Sequence, residues 1–181
     1  MTPSQLSKEL RTGSGDFLEE RRSVVALSLT AIGCMGLIAA YQIGFLKRLP
    51  DLPLPLMDAE KVDASEEAYA KLQTPDAFIG RGSYATTMGL AAMGGKDRAN
   101  EQPWIPLALA AKATVDAAQA AKLTCDHWAK HKAFCVWCLV AASATFATVP
   151  LVMGEAAAAV RTLAGRGRSR SRDSIRSFLE G

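Results

Sequence analysis

Charge-free apolar runs, separated by short polar stretches, divide this chain into lengths that suit a lipid bilayer. Ser23 to Leu46 continues for 24 residues without a charged side chain, more than the roughly 20 that cross a hydrocarbon core as a helix. The polar segment 1–22 before it ends in Glu19-Glu20-Arg21-Arg22, and no small-residue cleavage site follows a short apolar core. A retained spanning helix is therefore expected, not a removed signal peptide. Cys34 lies mid-run beside Gly33 and Gly36, where a small side chain serves helix packing. The spaced prolines of Leu49-Pro50-Asp51-Leu52-Pro53-Leu54-Pro55 forbid a regular helix and favour an extended path. Asp58 to Lys71 is acidic and helix-prone, with Leu56, Val62 and Tyr69 available for one apolar face. Residues 49–73 are thus expected to form an extramembrane loop with a short surface helix.

Thr74-Pro75-Asp76 marks a helix start, with Thr74 as N-cap and Pro75 at the first helical position. Ala77 to Gly95 is rich in Gly, Ala, Ser, Thr and Met, residues that let helices approach closely in lipid. Its single interruption, Arg81, sits near enough to the end to reach the interface, and also has the chemistry to attract an anionic headgroup or a quinone carbonyl. Pro103-Trp104-Ile105-Pro106 opens a third helix to about Leu123, weakly apolar, in which Lys112 and Asp116 are spaced to pair. Thr124 to Lys132 reads as a turn, and the apolar run after it predicts a fourth span over 133–153 with Pro150 near its far end. Arg161, Arg166, Arg168, Arg170, Arg172 and Arg176, mixed with Ser and Gly, predict a disordered basic tail with a short helix at Ile175 to Leu179. The fold class expected is all-α: an integral membrane four-helix bundle (spans 23–46, 77–95, 103–123 and 133–153) with an extramembrane loop and polar tails. The domain plan is a cytoplasmic tail 1–22, a membrane domain 23–155 and a basic tail 156–181.

Composition agrees once it is not averaged. Hydrophobic residues make up 49% and charged residues 22%, while the mean hydropathy of +0.08 mixes apolar runs with polar ends. The formal charge is +3, and the basic residues are concentrated at the two ends, the pattern of topology charges and not of a nucleic-acid patch with interleaved aromatics. Basic residues in the N-tail (Lys8, Arg11, Arg21, Arg22), the 96–102 loop (Lys96, Arg98) and the C-tail place both termini in the cytoplasm. Cys125, Cys135 and Cys138 then face the oxidising side.

Candidate chemistry crowds between positions 125 and 138, where three of the four cysteines and both histidines lie: Cys125, His127, His131, Cys135 and Cys138. Cys135-Val136-Trp137-Cys138 puts two sulfurs on one helical turn, and a helix N-terminus favours a thiolate. In a redox reading the pair cycles between dithiol and disulfide beside a lipid-soluble acceptor, with Phe134, Trp137, Ser143 and Thr145 supplying apolar walls and donors. His131, four residues before Cys135, shares its face if the helix reaches that far back. In a metal reading the same five side chains would ligate tetrahedral zinc, although consecutive ligands on one helix converge with difficulty. A structural disulfide or inert thiols is the third alternative.

The stretch Phe134-Cys135-Val136-Trp137-Cys138-Leu139-Val140-Ala141-Ala142, at the outer end of the last span, resembles the bacterial vitamin K epoxide reductase family. Residues 65–95, with Ala68-Tyr69, Thr74-Pro75-Asp76-Ala77-Phe78 and Ser83-Tyr84-Ala85, are similar to membrane proteins related to it. The resemblance covers roughly residues 20–155. It implies a bundle in the bacterial inner membrane around a quinone site (ubiquinone or menaquinone). Cys138 would be proximal to the quinone, and Cys135 would exchange with incoming disulfides. The family usually carries a second cysteine pair in the loop after the first helix, and this chain has no cysteine from 35 to 124. Cys125 as a single exchanging thiol, or a thioredoxin-like partner attacking Cys135, would replace that relay. The alternative is a non-catalytic relative acting as a structural or accessory subunit of a larger membrane complex.

Overall fold

A computed structural model describes residues 2–51, 56–69 and 74–179. Among them are seven α-helices: α1 (Pro3–Thr12), α2 (Leu18–Gln42), α3 (Ala59–Asp63), α4 (Asp76–Ala92), α5 (Arg98–Glu101), α6 (Trp104–Asp126) and α7 (Val136–Leu179). The long helices α2, α4, α6 and α7 pack side by side, α2 against α4 and α7, and α6 against α7 and α4. Neighbours are antiparallel. Ile38 late in α2 meets Cys135 before α7, while Val24 early in α2 shares a cluster with Val152 and Ala156. Both chain ends therefore lie at one end of the packed helices, and the CxxC pair lies at the other.

Two helices, Leu18–Gln42 and the 136–168 portion of α7, are long and apolar enough to cross a membrane. Helix α4 has 17 residues, and α6 carries Lys112, Asp116 and Lys122. Small side chains set the spacing of α2 and α4: a Cβ on Gly80 would stand 3.1 Å from the Met35 sulfur.

Several boundaries differ from expectation. The N-terminal segment is not a featureless tail, because Thr2 and Gln5 form a reciprocal capping box that starts α1. Helix α2 begins at Leu18, five residues before the apolar run, with Arg21 and Arg22 inside it. Thr74 does not cap α4; Pro75 occupies the cap position and makes no side-chain cap bond. The expected turn 124–132 is helical through Asp126 and continues as a π-helical turn, His127–His131, until Lys132 adopts a left-handed backbone (φ 51°). Helix α7 passes through Pro150 and runs to Leu179, so the basic segment 156–179 is helical where a disordered tail was expected. The expected surface helix is reduced to α3 and a 3-10 turn, Glu66–Tyr69. The proline stretch 52–55, and residues 70 and 71 of the helix expected over 58–71, lie outside the described residues.

At the end away from the cysteines, Arg21 and Arg98 are buried rather than free to count as topology charges. Arg21 donates to the carbonyls of Ala91 (2.9 Å), Met93 (3.1 Å), Gly94 (3.0 Å) and Gly95 (2.9 Å). Arg98 donates to Leu90 and Met93 (2.7 and 2.6 Å) and forks onto Glu155 at 2.7 and 2.6 Å. The last carbonyls of α4 have no partner within their own helix, and two cations at its C-terminus satisfy both their hydrogen bonds and the helix dipole. The ion pair locks α5 to α7.

Candidate redox site

Helix α7 starts at the CxxC because Cys135 caps it. Leu139 N–H donates to the Cys135 carbonyl (3.0 Å), and Cys138 N–H donates to Cys135 Sγ at 3.3 Å, the geometry of an N-cap side chain. Both cysteines are thiols. A short strap holds this corner. Phe134 N–H donates to Leu56 O (2.8 Å), Asp58 N–H donates to Phe134 O (3.0 Å), and Trp137 Nε1 donates to Pro50 O (2.7 Å). The strap leads into α3, whose N-terminus is capped by Asp58 through the Lys61 N–H and tied by the Ala59 N–H to Asp51 Oδ2 at 2.7 Å.

This arrangement delivers Asp63, at the end of α3, to the cysteines. Cys138 Sγ donates to Asp63 Oδ1 at 3.5 Å, and sulfur and carboxylate atoms of Asp63, Cys135 and Cys138 all lie within 4.8 Å of one another. Asp63 is only 4% exposed, and its Oδ2 has no hydrogen-bond partner. Gln42 fixes the backbone there, donating from Nε2 to Asp63 O (3.2 Å) and to Asp76 Oδ1 (2.8 Å). Burial pushes the Asp63 carboxyl up to about 6, against smaller opposing contributions from hydrogen bonds with Cys135 and Cys138.

A carboxyl whose folded-state pKa is raised contributes its full stability below the unfolded value near 4 and loses it as pH rises through about 6. Asp63→Asn is therefore expected to stabilise the protein at pH 7, by up to about 3 kcal/mol, and to leave it unchanged near pH 3. Thermal unfolding in detergent at the two pH values checks both halves.

Beside the thiols lies a cavity of about 250 Å³. Met35 and Ile38 of α2, Ile79, Ser83 and Tyr84 of α4, Gln119 and Leu123 of α6, and Ala141 and Ala142 of α7 contribute walls. Cys138, Asp63, Asp76, Asp116 and His127 supply polar points. Asp116 is held by Lys112 Nζ at 2.6 Å and by the Ser83 hydroxyl at 3.2 Å. Burial, and then His131, push His127 below the usual histidine value.

The residues singled out in the sequence fall into distinct places. Cys138 opens on the cavity; Cys135 is 0% exposed, packed among Ile38, Leu49, Ala59, Val62 and Ala77. Cys125 is an exposed thiol near the end of α6, outside the Asp63, Cys135, Cys138 group. Among the five residues expected around a quinone, Trp137 is hydrogen-bonded to the strap, and Phe134 stacks on Trp128 with ring centroids 5.7 Å apart. Ser143 is exposed and bonds back to Leu139 O (2.8 Å), and Arg81 is exposed on α4. Thr145 is buried and donates to Ala141 O (2.9 Å), and none of these five is in the cavity wall. His131 does not share the face of Cys135, because the left-handed residue Lys132 separates its π-turn from α7. Sequence reasoning missed Asp63 as a neighbour of the thiols, together with Tyr84, Asp116 and His127 as wall residues.

Asp63, Cys135 and Cys138 offer three donors, one short of the four that a structural zinc site takes. Elemental analysis of the purified chain is expected to show no stoichiometric transition metal.

A family model described as the vitamin K epoxide reductase family matches residues 23–153. No curated protein and no solved structure matches the chain.

Proposed function

We propose that this chain, which belongs to the vitamin K epoxide reductase family, is a membrane thiol:quinone oxidoreductase. One observation carries the reading: a vicinal dithiol heads a membrane-length helix, and one of its sulfurs opens on a cavity large enough for part of a small ring compound, with a mainly apolar surface interrupted by polar side chains. Dithiol oxidation releases two electrons and two protons and forms the S–S bond between Cys135 and Cys138. A quinone takes up both electrons and both protons and leaves as hydroquinone, so no further reactant is needed. Cys138, on the cavity, is the quinone-proximal sulfur.

All four long helices crossing the membrane, with both termini cytoplasmic and the site on the outer side of a bacterial inner membrane, completes this reading. The antiparallel packing and the shared location of the two chain ends support it. The missing loop cysteines leave the electron donor to another molecule. Cys135 is packed beneath Leu49, Ala59 and Val62, so a thioredoxin-like protein would have to displace these side chains to reach it. Cys125 is exposed at the same end and is the thiol in this chain available to begin such an exchange. The absence of cysteine between 35 and 124 equally motivates a second reading, an accessory subunit of a larger membrane complex.

Membranes containing the protein decide between the two. Dithiothreitol-driven quinone reduction above that of membranes lacking it is expected, and is lost in Cys135→Ser. Equal rates with and without the protein, together with loss of a parent complex on deletion, would favour the accessory role.

A further inference from the structure

We propose that Asp63 is the proton acceptor for the Cys138 thiol, a third reacting residue beside the two cysteines; this rests on the dithiol reading above. Three independent geometric facts meet at this carboxyl. Its Oδ1 accepts the hydrogen bond from Cys138 Sγ at 3.5 Å, so donor and acceptor are already in contact. Its Oδ2 is buried without a partner, a costly arrangement for a carboxyl that only fills space. The residue also forms part of the wall of the cavity on which Cys138 opens, so a proton received from sulfur sits where an electron acceptor would take it up.

Chemistry at the dithiol needs such a group. The thiolate, not the thiol, is the nucleophile and the electron donor, and a half-buried thiol facing this cavity has the Asp63 carboxylate, in direct hydrogen-bond contact, as the nearest group to take its proton. Asp63 stands among Cys135 and Cys138 from α7, Asp76 from α4, Asp51 from the strap and Tyr41 from α2. Among the described residues, the one cationic-capable side chain in the cavity wall is His127, and it is held towards its neutral form. In this anionic, desolvated setting, the carboxyl sits near its midpoint in mildly acidic solution, suited to gain and release a proton around neutrality. The proton balance closes: Cys138 gives its proton to Asp63, sulfur loses its electrons as the S–S bond forms, and the Asp63 and Cys135 protons leave with the two-electron-reduced acceptor.

Fully reduced full-length protein in which the exposed Cys125 is replaced by serine in every variant is mixed with a water-soluble short-chain quinone in one arm and with 4,4′-dithiodipyridine in the other, from pH 5 to pH 8. The second oxidant needs no quinone site, so it reads the role of Asp63 even in a protein that ignores quinones. Wild type is expected to rise in rate with a midpoint near pH 6 and level off above it. Asp63→Asn is expected to react about 10²-fold more slowly at pH 7 and to keep rising about tenfold per pH unit, as unassisted thiolate formation requires. Asp63→Glu should restore the plateau at a reduced rate.

A carboxylate that is merely a nearby charge disfavours the thiolate, so its removal would make Asp63→Asn react faster in both arms. That result, or a wild-type profile in the disulfide arm that climbs tenfold per unit straight through pH 5–8, would overturn the proposal. Silence of the wild type towards quinone, with the disulfide profile as expected, would sink the quinone reading and leave the role of Asp63 standing.

Discussion

Cys138→Ser protein is expected to reduce quinone at no more than the background rate of membranes without it, while remaining folded. A serine hydroxyl preserves the size of the side chain and can keep the hydrogen bond to Asp63, but it neither forms an S–S bond with Cys135 nor gives up an electron pair at neutral pH. Cys135→Ser is expected to be as inactive, because the disulfide needs both sulfurs. The two variants should nevertheless differ in thiol labelling. The surviving Cys135 lies 0% exposed beneath Leu49, Ala59 and Val62 and is expected to resist a bulky maleimide, whereas the surviving Cys138 is reached through the cavity. Steady-state quinone reduction paired with labelling in detergent reads both outcomes. Residual activity above background in Cys138→Ser would remove that sulfur from the reaction.

Arg98→Ala is expected to give the largest loss of stability, about 3–5 kcal/mol. The guanidinium is 0% exposed and its partner Glu155 is 3% exposed, so truncation leaves a carboxylate buried without its counter-charge. It also frees the Leu90 carbonyl at the end of α4 and leaves that of Met93 with Arg21 alone. The double substitution Arg98→Met with Glu155→Leu removes both charges together and should recover most of the loss, because an apolar pair of similar volume replaces the ion pair without stranding a charge. Chemical unfolding in detergent of wild type, both single variants and the double variant measures the coupling. Additive losses would show that the pair acts as two separate contacts.

These residues also show where the sequence is legible and where it is not. Helices α2 and α7 are announced by uninterrupted apolar length, and the CxxC announces the dithiol, because run length and short spacings are local properties. Arg21 and Arg98 read as topology charges along the chain. That α4 ends against them depends on the α2–α4 and α5–α7 contacts, which no local pattern carries. The capping box of Thr2 and Gln5 was a local signal for α1 and was overshadowed by the polar composition around it. The Arg, Ser and Gly content of 156–179 suggests disorder, yet these residues extend the apolar α7 without a break.

At the site, Phe134 precedes α7 and is turned onto the strap, while Trp137 and Ser143 are near Cys138 in sequence but a helix sorts its residues by rotation of 100° per position. Ala141 and Ala142, three and four positions after Cys138, share its face and line the cavity. Ser143, five positions on, has turned away to the exposed side. Asp63 was one of seven acids in the 49–76 region, and nothing in that run distinguishes it from Glu60 or Asp58. It is singled out only by the strap of hydrogen bonds between 56–58 and Phe134, which places the end of α3 over the sulfurs. The absent loop cysteines, by contrast, were fully legible, and they remain the clearest way in which this chain departs from its family pattern.

The most direct test is an anaerobic single turnover. Pre-reduced protein in lipid nanodiscs, freed of dithiol, is mixed with excess quinone, and hydroquinone is measured alongside mass-spectrometric mapping of all four cysteines. The account predicts one hydroquinone per chain, appearing together with a Cys135–Cys138 disulfide while Cys34 stays reduced. Thiols at Cys135 and Cys138 that survive prolonged exposure to quinone, with no hydroquinone formed, would contradict it.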